Sequence, residues 1–289
     1  MIRVMKKINF LRCILIIFLL ASITSIVEST TISTPDKKAI LEHYGYSTNS
    51  PEQIIEATKS ENYVVRLTAL EMLTQRTGGE AIPILKESLS DPEFEVRWRA
   101  AHFLGTLDDK GGLERMRQDL KKFAPNNGAP VPSDPNVVDP NEIKEQEGKR
   151  NLRLYNALRA AKVLAELGDR RGFELAAGMA LEGPWVLHRY EAIFTLIEIA
   201  KADESVLQAE WLCPVFFLCA VAETEKNEHV IYLLTNQVQK NLDDGSAIQI
   251  LEIAKDSSNI SEKARSVVRS HFDKVKARIK GRSENKPKD

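Results

Sequence analysis

Arg99-Ala100-Ala101-His102-Phe103-Leu104-Gly105-Thr106-Leu107-Asp108-Asp109-Lys110-Gly111-Gly112-Leu113 decides the fold, because it returns as Arg159-Ala160-Ala161-Lys162-Val163-Leu164-Ala165-Glu166-Leu167-Gly168-Asp169-Arg170-Arg171-Gly172-Phe173. A looser copy precedes it, Val65-Arg66-Leu67-Thr68-Ala69-Leu70-Glu71-Met72-Leu73. Another follows, His188-Arg189-Tyr190-Glu191-Ala192-Ile193-Phe194-Thr195-Leu196. A segment that recurs in this way is one supersecondary unit of a stack.

The copies superpose into columns. One reads Ala69, Ala100, Ala160, Ala192, small enough for close helix contact. A second reads Leu73, Leu104, Leu164, Leu196 and a third Leu67, Trp98, Leu158, Tyr190. Leu70, Ala101, Ala161 and Ile193 make a fourth. Offsets of three and four place all of them on one helical face. No hairpin can cover that face alone, so its neighbours must.

Ala69 to Ala100 is 31 residues, Ala100 to Ala160 is 60, and Ala160 to Ala192 is 32. The long middle gap is one period plus an insertion. Pro125, Pro130, Pro132, Pro135 and Pro140 fall in it, with Asn126-Asn127-Gly128. Such a run resists helix and strand alike, so 124–150 is expected to be a loop projecting from one edge of the stack.

Helix signals fill in the rest. Residues 35–44 make a short helix. Ser50-Pro51-Glu52-Gln53 offers a hydroxyl cap, a proline at the first helical position and a glutamine that can reach back. Asp91-Pro92-Glu93 starts the helix that carries Ala100. Asp109 and Asp169 share a column between helices, where each can cap the next one. After the insertion come helices at 152–167, 172–181 and 185–201. Two less regular pairs follow, 205–222 with 228–241 and 246–255 with 261–280, and Pro214 should break or kink the first of these helices. Residues 281–289 read as a polar tail.

Asp91-Pro92, Val96-Arg97, Ala100, Leu104 and Leu107 followed by Asp109, together with Leu167-Gly168-Asp169 and Val65-Arg66 with Ala69, resemble the HEAT repeat in its short, phycobilisome-lyase-like form. The third copy departs, with Asn156-Ala157 in place of Val-Arg, and the fourth has His188-Arg189. The resemblance is clearest over 51–201. It implies an all-α fold over 35–280: a right-handed, HEAT/armadillo-like α-solenoid of about six antiparallel helix pairs, with the second helix of each pair lining a concave face. The family includes scaffolds, transport factors and a few enzymes, so the resemblance speaks to shape more than to activity.

Composition narrows the function classes. The chain has 289 residues, 43% apolar and 7% aromatic, so its core must be aliphatic. A net charge of -1 does not favour nucleic acid or an anionic surface as partner. Arg3, Lys6, Lys7 and Arg12 precede an apolar run, Cys13 to Val27. That run is about 22 Å long as a helix, short of the ~30 Å hydrocarbon core. Residues 1–29 therefore read as a secretory signal or an N-terminal membrane anchor, and the protein as exported to the periplasm or the extracellular space. Cys213 and Cys219, about 9 Å apart along one helix, do not suit a disulfide and read as buried small hydrophobes.

Sites for chemistry are scarce. His43, His102, His188, His229 and His271 show no metal-ligand spacing. There is no phosphate-binding glycine loop and no nucleophile elbow. Asp134-Pro135-Asn136 and Asp139-Pro140-Asn141 read as turns, without the glutamate and glycine spacing a calcium loop needs. Neither cofactor nor metal is expected. The second helices do carry a polar stripe: Thr68, Arg99, Arg159 and Glu191 in one column, Glu71, His102, Lys162 and Phe194 in the next, and Gln75, Thr106, Glu166 and Glu198 in a third. Its mixed sign argues against nucleic acid, which wants an unbroken basic track. The expectation is a monomeric, non-catalytic scaffold that holds a protein or peptide partner through Arg99, His102, Arg159, Lys162 and Glu166. A lyase-like enzyme with its site in the same groove, and a purely structural envelope component, are the alternatives.

Overall fold

A computed structural model describes residues 34–124, 140–202 and 213–284. These residues are helical throughout, with short 3-10 turns and no strand among them. The chain divides into two compact units, one ending at Ile84 and one beginning at Leu85.

In the first unit, α1 (Thr34–His43) and α2 (Pro51–Ala57) both pack on α3 (Tyr63–Thr77). Ser50 caps α2 by accepting the Gln53 N–H at 3.3 Å. The Gln53 side chain turns instead to the Ser47 N–H, so only half of the reciprocal cap forms. Asn62 caps α3 through the Val64 N–H at 2.9 Å. Leu41, Ile54, Ala57, Val65, Ala69 and Leu70 are fully enclosed. Gly78, at φ +54, ends α3 in a conformation that a side chain would resist. A 3-10 turn and α4 (Ile82–Ser88) follow.

The second unit continues with α5 (Phe94–Thr106), α6 (Leu113–Phe123), α7 (Pro140–Glu166), α8 (Phe173–Glu182), α9 (Val186–Ala202), α10 (Pro214–Thr224), α11 (Glu228–Asn241), α12 (Asp244–Asp256) and α13 (Glu262–Glu284). They form two layers. In one, α5 touches α7, α7 touches α9, α9 touches α11 and α11 touches α13. In the other, α8 touches α10 and α10 touches α12. Successive hairpins thus cover each other's apolar faces, the arrangement of a HEAT-like α-solenoid. Ala100, Ala160 and Ala192 are all completely buried, as their column requires.

Three side-chain arrangements repeat with the sequence. Gly112 and Gly172 each lie against an alanine of the preceding helix, Ala101 and Ala161. A Cβ on Gly172 would sit 2.1 Å from that of Ala161, so only glycine permits the approach. Asp109 accepts from the Gly111 N–H and pairs with Lys86 at 2.7 Å; Asp169 accepts from the Arg171 N–H and pairs with Arg117 at 2.7 Å. Each aspartate caps its own turn and ties it to a helix of the preceding hairpin. Finally, Arg66, Arg97 and Arg189 donate to the carbonyls of the link before their own helix: Ser60 and Glu61, Asp91 and Pro92, and Gly183. The third copy has Ala157 in that column. There Arg153, one turn earlier, donates to the carbonyls of Lys122 and Phe123.

Three expectations need correction. Residues 140–150 are not loop, because α7 begins at Pro140. Proline is tolerated in a first helical turn, and the residues after it up to Arg150 include no further proline. The remainder of the expected loop, 125–139, lies outside the described residues, as do the Asp134 turn and the segment 1–29. Pro214 opens α10 at its first turn after the non-helical N-cap Cys213, so the expected helix over 205–222 does not run through it; residues 205–212 lie outside the described residues. Residues 281–284 of the expected tail are helical, since α13 runs to Glu284, and 285–289 lie outside the described residues. Arg278 and Arg282 both pair with Asp244, the latter at 2.7 Å, and these ties hold the last turns in place. Cys219 is buried as expected, but Cys213 is only half-buried at the N-cap of α10.

Candidate partner-binding site

α5, α7 and α9 lie side by side and bring the polar columns of the second unit together. Trp98 is the hub. Its indole N–H donates to the Arg159 carbonyl at 3.0 Å, which fixes the ring across the α5–α7 seam. The Arg159 guanidinium lies 4.0 Å from the centroid of that ring and that of Arg99 lies 4.9 Å away. The His102 imidazole stacks on it at 6.0 Å with an interplanar angle of 10°. Cations held over an indole face in this way gain roughly 0.5–2 kcal/mol, more as water is excluded.

The five predicted residues therefore do meet, but not as an evenly solvated stripe. Arg99 and His102 are half-buried. Arg159 and Lys162 are only 3% and 4% exposed. Arg159 lies under Phe94, Trp98 and Tyr155 and reaches Glu95 at 3.6 Å. Lys162 sits over the Phe194 ring at 4.8 Å. Glu166 closes the set by pairing with His102 at 2.7 Å. Aromatic residues in the adjoining positions roof the cations over. Of the other column members, Glu191 is 5% exposed and accepts from the Tyr155 hydroxyl at 3.3 Å. Burial and the Glu191 charge push that phenol's pKa far up. In the first unit, Thr68 bonds to the Val64 carbonyl, and Glu71 takes Lys37 at 2.6 Å. Of these five residues Arg99, His102 and Glu166 are the ones partly open to solvent, with Arg159 and Lys162 as a charged layer beneath.

Burial opposes the charged form of Glu166, but the His102 hydrogen bond and the charges of His102, Lys162 and Lys201 outweigh it and hold the carboxyl below its ordinary value. A lowered carboxyl pKa stabilises the fold above the unfolded value of 4.5 and loses that contribution as the pH falls toward the lowered value. Glu166→Gln should accordingly flatten the stability profile of the protein below pH 4.5, measured by urea unfolding in a pH series.

Among the described residues no three His, Cys, Asp or Glu side chains gather as a metal site would require. Burial raises the Cys219 thiol to about 11, which makes it a poor nucleophile. Among the described residues no helix is long and apolar enough to cross a membrane.

Sequence reasoning missed the aromatic roof. Trp98 stands in the column of Leu67, Leu158 and Tyr190, and Tyr155 one turn before that column, and an aromatic ring where two copies hold leucine was the available signal. It also missed Asp119, which is buried against Arg97.

Compared with known proteins, residues 51–131 match the family described as HEAT repeats. No curated protein matches the chain.

Proposed function

Since the chain carries HEAT repeats, which commonly serve as protein-interaction scaffolds, we propose that it is a non-catalytic scaffold holding an acidic stretch of a partner protein on the face made by α5, α7 and α9. The observation that carries this reading is Trp98 bearing two guanidiniums and an imidazole at fixed positions. Side chains locked before binding lose little rotamer freedom when they bind, so their charge is spent on the partner. Arg99 and His102 make the contact. Arg159 and Lys162 add positive potential from beneath in a region where water screens poorly.

The basic-then-apolar segment 1–29 supports placing this scaffold outside the cytoplasm, exported or anchored. The lyase-like alternative has less support on this face, because the His102 ring is already engaged by Glu166 and stacked on Trp98.

Arg99→Glu combined with His102→Glu reverses the reachable charge without touching the enclosed layer. Pull-down from the native envelope fraction should lose the partner that the unaltered protein retains, by about tenfold or more, a difference of ~1.4 kcal/mol. His102→Glu sets a second carboxylate against Glu166 and should lower the melting temperature, so circular dichroism at the assay temperature must show the double variant folded. Retention of the same partner by the double variant would end the proposal.

A further inference from the structure

The fourth copy of the repeat carries a titratable ring where two other copies are aliphatic. In the column of Val65 and Val96 it places His188. That imidazole is fully enclosed, at 0% exposure, between α9 and α7. It opens a ladder of polar contacts between the two helices. His188 meets the Asn151 carbonyl at 2.8 Å, Glu191 accepts from the Tyr155 hydroxyl at 3.3 Å, and the Thr195 hydroxyl lies 3.5 Å from the Leu158 carbonyl. The rungs fall three or four residues apart on both helices, about one turn at a time. His188 is the shortest of them and stands at the N-terminal end of α9.

The surroundings suit the neutral ring alone. A carbonyl oxygen can only accept, so the ring donates from Nε2 and the neutral tautomer keeps its lone pair on Nδ1. Nδ1 is enclosed and meets no hydrogen-bond partner among the described residues. A second proton would turn Nδ1 into a charged donor with nothing to receive it, which is far costlier than a bare nitrogen. Burial accordingly holds the ring's pKa below its ordinary value, and the Arg189 charge adds to the depression against the pull of the Asn151 carbonyl. Arg189 is itself paired with Glu225 at 2.8 Å and bonded to the Gly183 carbonyl. Among the described residues no carboxylate of α7, α8 or α9 is counted with the charges that act on the ring. Trp185 stacks on it at 5.3 Å and 8°, which favours a cation, but that indole is 37% exposed and offers little.

We propose that His188 is an acid-sensitive latch on the α7–α9 seam: neutral, it ties the start of α9 to α7, and protonated, it lets that end of α9 come away. The step moves one proton from solvent to Nδ1 and breaks no covalent bond. Above pH 6.5, the ordinary imidazole value, the ring is neutral whether the chain is folded or not, and the fold keeps its full stability. Below 6.5 the unfolded or opened chain binds the proton first, so stability is lost as the pH falls toward the lowered value. Opening stops within the first turns of α9, because Glu191 and Thr195 hold the next rungs. The latch lies on the seam that also carries Lys162 and Phe194, but it does not rest on the function proposed above, since its test involves no partner.

The whole protein is compared with His188→Gln, which keeps a donor for Asn151 but cannot titrate, and with His188→Val, which restores the residue of two other copies. Backbone amide exchange at about pH 7.5 and about pH 5.5, corrected for the intrinsic effect of pH on exchange, is the main readout. On acidification the protection of residues 189–193 in the unaltered protein should fall about tenfold, the effect of one proton over one pH unit. Protection of residues 250–254 in α12 should hold, and neither variant should show the local fall. Urea unfolding supplies the matching linkage: the unfolding constant of the unaltered protein should rise by up to about tenfold per pH unit below 6.5 relative to His188→Gln. His271→Gln is the control, because burial lowers that ring's pKa too, and it should leave the loss at 189–193 in place. Should His188→Val not fold, His188→Gln carries the comparison. Equal pH dependence of the unaltered protein and His188→Gln overturns the proposal. So does a loss of protection spread evenly over the unit that begins at Leu85, which would mark general acid unfolding in place of a latch.

Discussion

Asp119→Ala is expected to destabilise the unit that begins at Leu85 by about 3–5 kcal/mol. Asp119 takes both the Nε and Nη2 donors of Arg97, at 2.9 and 2.7 Å, and the two side chains are 2% and 3% exposed. Arg115 adds a third contact at 3.2 Å. Remove the carboxylate and the Arg97 guanidinium keeps only the Asp91 and Pro92 carbonyls. A buried cation without its counter-ion is among the costliest defects a core can carry. Against a total stability of roughly 5–15 kcal/mol, that loss is a large fraction. Urea denaturation followed by circular dichroism checks it, and a loss below ~1 kcal/mol would mean that water reaches the pair. Arg97→Met combined with Asp119→Leu should recover much of the stability, because a buried pair replaced whole by apolar groups costs little.

Gly172→Ala carries the second largest effect. The added methyl would meet the Ala161 Cβ at 2.1 Å and its Cα at 2.9 Å, and backbone is what must move. Overpacking of a tight core costs about 1–3 kcal/mol, and this approach is closer than most. Thermal melts should show a drop of several degrees, and Ala161→Gly in the same chain should recover part of it. Gly178 supplies the opposite sign within α8. A Cβ there meets nothing within 4 Å, so Gly178→Ala should stabilise by about 0.5–1 kcal/mol, the ordinary helix preference. If Gly172→Ala and Gly178→Ala behave alike, the turn before α8 is not packed on Ala161.

Both defects bear on how far the sequence could be read. Gly112 and Gly172 sit at matching places in the two quoted stretches, so their recurrence was visible. Their reason was not visible, because it lies in a contact with Ala101 and Ala161, more than two turns of chain away. Asp119 left a fainter trace: Met116 and Phe123 stand three and four residues from it, so a carboxylate fell on an apolar stripe. Such a residue demands a buried cation, but only coordinates select Arg97 over the other arginines nearby. For the candidate site, column matching gathered Arg99, His102, Arg159, Lys162 and Glu166 correctly in space. It could not say that Arg159 and Lys162 lie beneath aromatic rings, since burial between adjacent helices depends on the size of side chains from different repeats.

The proline-rich insertion shows the same limit in local form. Counting prolines marked where the repeat is interrupted, but the helix resumes at Pro140 rather than after Arg150. Proline forbids a helix interior and permits a helix start, and composition alone does not distinguish the two.

By itself, the sequence determined that this protein is a stack of helical hairpins, because a small-residue column and a leucine column at fixed offsets leave each hairpin with an apolar face that only a neighbour can cover. Tertiary structure alone decided which charges are exposed and which are enclosed. Those outcomes depend on distances of a few ångströms between residues far apart in the chain, and periodicity along one chain carries no measure of such distances.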